Sequence, residues 1–252
     1  MSPQGRLLVF VHGFKGSAVD TWGGFPEQLC LHNEAKGYDL VCFGYDSARQ
    51  TAGESANQLQ KFLNELLFNT ARVVNRSIEE YDSRLRRESK WNYKAMVIVG
   101  HSLGACISRR AMLNQLRSGT GRWPERTKLV WFAPAHCGAR LFRLVTAATL
   151  GVSLEFIDGV AAFAWPVLKD LQEDSKFLEE LREHTEELQD NTPNLCSPLT
   201  FWAWKDKVVI NGCFGKDKTP FEEIRGASHV SICKPTGNDK TVRLLLKELV
   251  YA

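Results

Sequence analysis

The sequence predicts an α/β protein in which helices cover both faces of a mostly parallel sheet. The chain has 252 residues, which is long enough for one large domain with a well-buried core. Short apolar runs of the kind that form buried parallel strands recur along it. Helix-like segments separate these runs, and an alternation of strand and helix favours a parallel sheet with helices on both sides.

The apolar runs predict a small sheet of about six strands. The predicted strands are 7–11, 39–45, 96–100, 128–133, 198–204 and 221–225. Helices are predicted at 22–31, from 58 to about 87, directly after residue 104, and at 240–251. Leu59, Phe62 and Leu63 begin an i, i+3, i+4 spacing that gives the second helix one buried face. Its later part, 78–90, is charged and is predicted to face solvent.

The charge and cysteine content exclude several classes of protein. The net charge is +3 with acidic and basic residues interspersed, so no nucleic-acid partner is expected. The seven cysteines are scattered without Cys-x-x-Cys pairs, which predicts reduced thiols and a cytoplasmic protein. The apolar run 7–11 is too short for a secretory signal. No histidine–cysteine–acid cluster has metal-ligand spacing, so neither a metal nor a cofactor is expected.

The most informative motif is Gly-x-Ser-x-Gly at 100–104, between the strand 96–100 and a helix. A strand that enters a helix through this motif holds the serine on a sharp, strained turn above the sheet. Gly100 and Gly104 are expected there because a Cβ would collide with the neighbouring strand and helix. The helix N-terminus also directs free amides towards the reacting group. The context therefore predicts that Ser102 is a nucleophile.

On these residues the chain resembles the α/β-hydrolase superfamily, and the resemblance extends over nearly the whole chain. It implies a single α/β-hydrolase domain at 1–252 with a minimal sheet, because there is no room for the two strands that usually precede the first one. The superfamily orders its catalytic residues as serine, acid and histidine, and the matching positions are Ser102, Asp206 and His229.

The resemblance also implies an oxyanion hole. The His-Gly-x loop after the first strand supplies one amide in lipases and esterases, which assigns the backbone N–H of Phe14. The second amide is that of Leu103, the residue after the nucleophile.

Other residues compete for these roles. Asp217 is the main rival for the acid but lies in a Gly/Lys loop, and Asp46 comes too early for the expected order. Only His229 follows the last strand. The remaining histidines are His12 and His101 within the two motifs, His32 and His184 on helices, and His136 after a strand, where it either lines the pocket or marks a hinge.

Residues 138–195 interrupt the alternation and are predicted to form a helical cap over the site; the alternative is that these helices simply pack on the sheet. The part at 141–168 is apolar on more than one helical face but too interrupted for a membrane span. We expect Phe156 and Phe163 to line an acyl pocket, with a membrane or partner surface as the alternative. An Asp-Leu…Ser-x-Phe-Leu…Leu pattern here also resembles the lipase-like serine esterases related to glycolipid-anchor inositol deacylases.

These residues predict a serine hydrolase that cleaves carboxylic esters, including lipid acyl esters, through an acyl-enzyme. Two alternatives stay open. One is a catalytically silent α/β-hydrolase fold used for binding or signalling. The other is a different acyl-transfer enzyme, such as a thioesterase, phospholipase or amidase.

Overall fold

The computed structural model describes residues 5–68, 93–119, 121–148, 165–197, 199–204, 206–212, 214–217, 222–235 and 240–250. The strands among them form a six-stranded sheet. They are β1 (Arg6–Val11), β2 (Tyr38–Phe43), β3 (Ala95–His101), β4 (Thr127–Phe132), β5 (Leu199–Ala203) and β6 (Glu222–Ile224). The order is β2-β1-β3-β4-β5-β6 and every neighbouring pair is parallel, which confirms the predicted sheet.

The helices of the described residues follow the strands in chain order. They are α1 (Phe25–Cys30), α2 (Ala52–Phe68), α3 (Leu103–Ser118), α4 (Leu141–Ala148), α5 (Pro166–Asp170), α6 (Lys176–Leu188) and α7 (Lys240–Val250). Helices α1 and α7 pack against each other, and α2 and α6 both pack against α3. The helices thus form two layers, as parallel strands joined by crossover helices require.

The core is built around β1 and β3, whose side chains are buried on both faces of the sheet. Phe10 on β1 contacts the edge of Trp22 with ring centroids 4.9 Å apart, and Phe25 with centroids 6.2 Å apart. Strands buried on both faces read as continuous apolar runs rather than alternating ones, which is why the sequence revealed them.

Two helix starts differ from the sequence predictions. Helix α1 begins at residue 25 rather than 22, because Gly23 has φ 53°, outside the helical range, and Pro26 is suited to the first helical turn. Helix α2 begins at residue 52 rather than 58. Glu54 Oε2 accepts the Thr51 amide (2.8 Å) and Thr51 Oγ1 accepts the Glu54 amide (3.1 Å). This reciprocal pair is a capping box, a Thr-x-x-Glu signal that the sequence carries and the apolar periodicity overlooks.

Several predictions fall on residues outside those described. The predicted continuation of α2 to about residue 87, with its charged part at 78–90, lies there. So do Phe156 and Phe163, so the acyl-pocket prediction stays a prediction. Within the described ranges, no helix combines the length and the apolar character that crossing a membrane requires.

The predicted cap segment, 138–195, makes two kinds of contact. Its later helix α6 packs on α3, where Arg110 Nη2 donates to Glu180 Oε2 (3.1 Å) and the side chains of Leu178 and Leu181 are buried. Its beginning is tied to the loop after β5, because the Arg140 amide donates to the Val208 carbonyl (2.8 Å). The alternative for this segment was packing on the sheet; α6 packs on α3, a helix of the layer that covers the sheet.

Candidate active site

The three residues predicted to do catalysis all follow strands of the sheet. Ser102 comes directly after β3, Asp206 lies a few residues beyond β5, and His229 lies beyond β6. The strands are parallel, so their carboxyl ends meet at one edge, which is where open α/β sheets bind ligands. Residues far apart in the chain therefore meet above one edge of the sheet.

Ser102 lies on the sharp turn that the sequence predicts. Its backbone has φ 53° and ψ −119°, in a region that residues other than glycine rarely adopt. A Cβ on Gly104 would lie 2.2 Å from the Val11 carbonyl oxygen, and one on Gly100 would lie 2.7 Å from the Cα of Ala105. The expected reason for the two glycines is thus confirmed: the turn lies too close to β1 and α3 for side chains.

A chain of hydrogen bonds joins the three predicted residues. His229 Nε2 lies 3.0 Å from Ser102 Oγ, and His229 Nδ1 lies 3.0 Å from Asp206 Oδ2. The other oxygen of that carboxylate, Oδ1, accepts the amides of Val208 (2.8 Å) and Val209 (3.3 Å). With Nδ1–H donating to Asp206, Nε2 is left to accept the serine proton.

The environment of Asp206 keeps it ionised. Its side chain is fully buried, at 0% exposure, and burial by itself raises the pKa of a carboxyl group. The hydrogen bond and charge of His229, with the amides of Val208 and Val209, outweigh this and lower the pKa of Asp206 below its ordinary value. A buried carboxylate that stays charged is what a neighbouring imidazole needs when it takes up a proton.

His101, the residue before the serine, holds the loop that carries His229. Its Nε2 lies 2.8 Å from the backbone carbonyl oxygen of His229 and donates to it. Burial, assisted by the nearby His229, lowers the pKa of His101 to about 3, so its ring is neutral at ordinary pH. His101 thus has a positioning contact with the backbone of the His229 loop.

The loop after β1 lies against the serine. A Cβ on Gly13 would lie 3.0 Å from the Cβ of Ser102. His12 holds this loop: its Nδ1 donates to the Gly13 carbonyl (2.8 Å), and its ring stacks on Tyr45 with centroids 4.2 Å apart. Phe14, predicted to supply an oxyanion amide, lines the same cavity as Ser102.

The other predicted oxyanion residue, Leu103, is the first residue of α3. The first amides of a helix have no acceptor within the helix. The Leu103 amide follows Ser102 directly in the chain. Because it has no acceptor within the helix, it is free to donate to another group.

The rival residues have other partners. Asp217 Oδ1 accepts Arg109 Nη2, in a close contact, and the Ser197 amide at 2.9 Å. His136 is buried against Phe214, with ring centroids 4.7 Å apart, and it does not line the cavity at Ser102. Of its two expected positions, lining the pocket is therefore wrong.

The cavity beside Ser102 and His229 has a volume of about 280 Å³. Leu144 of α4 lines it, so the start of the 138–195 segment does border the site. No group of three histidine, cysteine or acidic side chains among the described residues lies close enough together to hold a metal ion. The cysteines in those ranges are free thiols.

No protein-family model and no curated protein matches the sequence, whereas many solved structures match the fold. The mature lipase BlEst2 of Bacillus licheniformis is 17% identical, with a TM-score of 0.56 over 98% of this chain and 93% of that one. The peroxisomal α/β-hydrolase Lpx1 of Saccharomyces cerevisiae is 12% identical, with a TM-score of 0.52 over 99% and 76%. Phospholipase PlaB of Legionella pneumophila is 17% identical, with a TM-score of 0.51 over 81% and 40%. This chain has the α/β-hydrolase fold.

Proposed function

We propose that this protein is a serine hydrolase that cleaves carboxylic esters, with Ser102, His229 and Asp206 as its catalytic residues. One observation carries the proposal: the hydrogen-bonded chain from Asp206 through His229 to Ser102, with both contacts at 3.0 Å. A serine hydroxyl is a weak nucleophile until an adjacent base takes its proton, and the imidazole here is positioned and oriented to do so.

The proposed reaction has two halves. Ser102 Oγ attacks the ester carbonyl while His229 Nε2 takes its proton, and His229 then gives that proton to the departing alcohol. Water, deprotonated by the same nitrogen, attacks the acyl-enzyme, and His229 returns that proton to Ser102 Oγ as the acid is released. Throughout, Asp206 holds the imidazole in one tautomer and stabilises its protonated form.

Both tetrahedral intermediates carry a negative oxygen. We assign its stabilisation to the backbone amides of Phe14 and Leu103, which come from the loop after β1 and the first turn of α3. A donor of this kind contributes roughly 3 kcal/mol to the transition state. The hydrogen bonds of His12 and Tyr45 hold the loop after β1, which supports a fixed position for the Phe14 amide before substrate binds.

The residues that line the cavity favour a substrate with an acyl chain. The cavity lining includes the apolar side chains of Phe14 and Leu144, which suit an acyl chain. We propose that 138–195 acts in part as a cap, since α4 borders the cavity while α6 packs on α3.

The narrower resemblance to inositol deacylases and the cytoplasmic location stay predictions. Among the proteins of similar fold, one is named a lipase and one a phospholipase, and the same substrate classes should be tested here.

A fluorophosphonate probe tests the proposal directly, because it bonds covalently to an activated serine. We expect the wild-type protein to be labelled on the peptide that contains Ser102 and the Ser102→Ala variant to remain unlabelled. Ser17→Ala is the matched control, because Ser17 lines the same cavity but its hydroxyl donates to Asp20. Failure of the folded wild-type protein to react would favour the silent binding module.

A second experiment separates the enzyme classes. Esters, thioesters and phospholipids with the same acyl chains would be compared by kcat/KM. The proposal requires the simple esters to be cleaved at a rate that Ser102→Ala abolishes. A strong preference for the thioester would instead identify a thioesterase with the same residues.

A further inference from the structure

The cavity that Ser102 lines also has two lysines in its lining. Besides its apolar residues, its lining has a polar set: Lys15, Ser17, Asp20, Thr21 and Lys234. Two lysines and one aspartate leave the lining with a net positive charge. An apolar acyl chain makes no favourable polar contact with an ammonium group, so the two lysines indicate that the ligand also has a polar or charged part.

The carboxylate in the cavity does not neutralise the lysines. Asp20 Oδ2 accepts the Ser17 hydroxyl at 2.8 Å, and the Ser17 oxygen in turn accepts the Asp20 amide at 2.8 Å. Asp20 is thus held in its own turn. Among the described residues, neither Lys15 nor Lys234 forms an ion pair.

Lys15 occupies a backbone position that the fold holds in place. It has φ 50°, which is uncommon for a residue with a side chain, and its amide donates to Ser47 Oγ at 2.7 Å. Its ammonium lies 4.1 Å from the centre of the Trp165 ring. An aromatic face attracts a cation but leaves its other hydrogens free to bind an anion.

Lys234 is held from the other side of the site. Its amide donates to the Ser231 carbonyl at 2.9 Å, in the turns that follow His229. Lys15 adjoins Phe14, the proposed oxyanion residue. Lys15 therefore shares a loop with Phe14, and Lys234 shares the turns that follow His229. Both lysines line the cavity in which an ester would be bound at Ser102.

We propose that Lys15 and Lys234 bind an anionic group, a phosphate or a carboxylate, that belongs to the same molecule as the ester cleaved at Ser102. The inference rests on the proposed function and narrows it to acidic esters. Ammonium groups bind such anions as point charges. Both lysines are at least partly solvent-exposed, so the effect must weaken as salt is added.

The test compares matched pairs of esters that differ in charge. One pair is dihexanoyl phosphatidate and dihexanoylglycerol; the other is monoethyl adipate and ethyl hexanoate. The measured quantity is the ratio of kcat/KM for the anionic ester to that for its neutral partner, because the ratio cancels losses that affect both esters equally. The pair with the larger ratio shows whether phosphate or carboxylate is the favoured group.

We expect the wild-type ratio to exceed one for at least one pair and to fall with added salt. Lys15→Met and Lys234→Met should each lower it about three- to tenfold, and the double variant should bring it to about one or below. Asp20→Asn should raise it modestly. Lys61→Met, on the exposed surface of α2, is the control and should leave it unchanged. A ratio that none of the cavity variants alters would overturn the inference.

The inference and the proposed function fail in different ways. Turnover of neutral esters without a preference for anionic ones refutes the anion site alone. If no ester is turned over, the proposed function fails, and calorimetry of dihexanoyl phosphatidate and of monoethyl adipate with Ser102→Ala then decides the anion site. At least one of the two must bind, and adding Lys15→Met and Lys234→Met must weaken that binding at least tenfold; otherwise the anion site is refuted as well.

Discussion

Two aspartates that follow β5 in the chain, Asp206 and Asp217, each bond to a basic side chain, but the two basic partners differ in kind. In the first pair, Asp206 bonds to His229, whose other nitrogen faces Ser102 and an open cavity. In the second pair, Asp217 bonds to Arg109, whose side chain is 0% exposed. That guanidinium lies 4.7 Å from the centre of the Phe214 ring.

The difference shows that a carboxylate's role depends on its partner. An imidazole can take up and release a proton, so the role we propose for Asp206 is to support proton transfer by His229. A guanidinium stays protonated in proteins, so Asp217 next to Arg109 can only neutralise it. We therefore expect damage to the first pair to reduce turnover and damage to the second to reduce stability.

The largest expected effect is a loss of turnover on changing Ser102, whose hydroxyl contacts His229 of the first pair. Ser102→Ala should fold normally and lose about 10³- to 10⁶-fold in ester turnover, because nothing else in the chain of hydrogen bonds can attack the carbonyl. Turnover is measured with purified protein, and folding by circular dichroism. Near wild-type turnover in this variant would remove Ser102 from the mechanism.

Asp206→Asn should lower turnover by about 10²- to 10⁴-fold, because an amide can present its N–H to His229 and favour the wrong tautomer. The thermal midpoint, measured alongside kcat, should change much less than in an Asp217 variant. If kcat survives in Asp206→Asn, this carboxylate does not orient the base.

Asp217→Asn should give the reverse pattern. Removing the charge leaves Arg109 buried without its counter-ion, which costs about 3 to 5 kcal/mol of unfolding free energy. Turnover per folded molecule should stay near wild type. The measurements are urea denaturation and activity corrected for the folded fraction, and a selective loss of kcat in a fully folded variant would contradict the comparison.

A double variant sharpens this test. Arg109→Met with Asp217→Asn removes the unpaired charge, so it should be more stable than Asp217→Asn alone despite the lost packing. No recovery would mean that the loss in the single variant does not come from the unpaired charge of Arg109.

The smallest expected effect concerns His101. His101→Leu removes the donor to the His229 carbonyl and should lower kcat up to about tenfold, in line with about 1 kcal/mol for one hydrogen bond. His101→Gln can keep a donor there and should recover part of the loss. Equal losses in the two variants, with KM unchanged, would show that the ring's packing matters rather than its hydrogen bond.

Much of the fold and the site could be predicted from local sequence. Strands buried on both faces appear as apolar runs, and a strand–Gly-x-Ser-x-Gly–helix arrangement has few other structural solutions. The conformation of the turn at Ser102 and the need for its two glycines could therefore be predicted from the residues next to them in the chain. The helix starts were predicted less well, because apolar spacing gives no information on capping residues such as Thr51 and Glu54.

The sequence left the choice between Asp206 and Asp217 to position in a superfamily pattern, since both are acids in loops beyond β5. Only the tertiary structure shows Asp206 beside His229 and Asp217 beside Arg109. The sequence likewise did not show that Lys15 and Lys234 line one cavity with Ser102, because most of the chain separates the two lysines. Partners of this kind depend on how crossovers bring distant strand ends together, and no local pattern of residues encodes that distance.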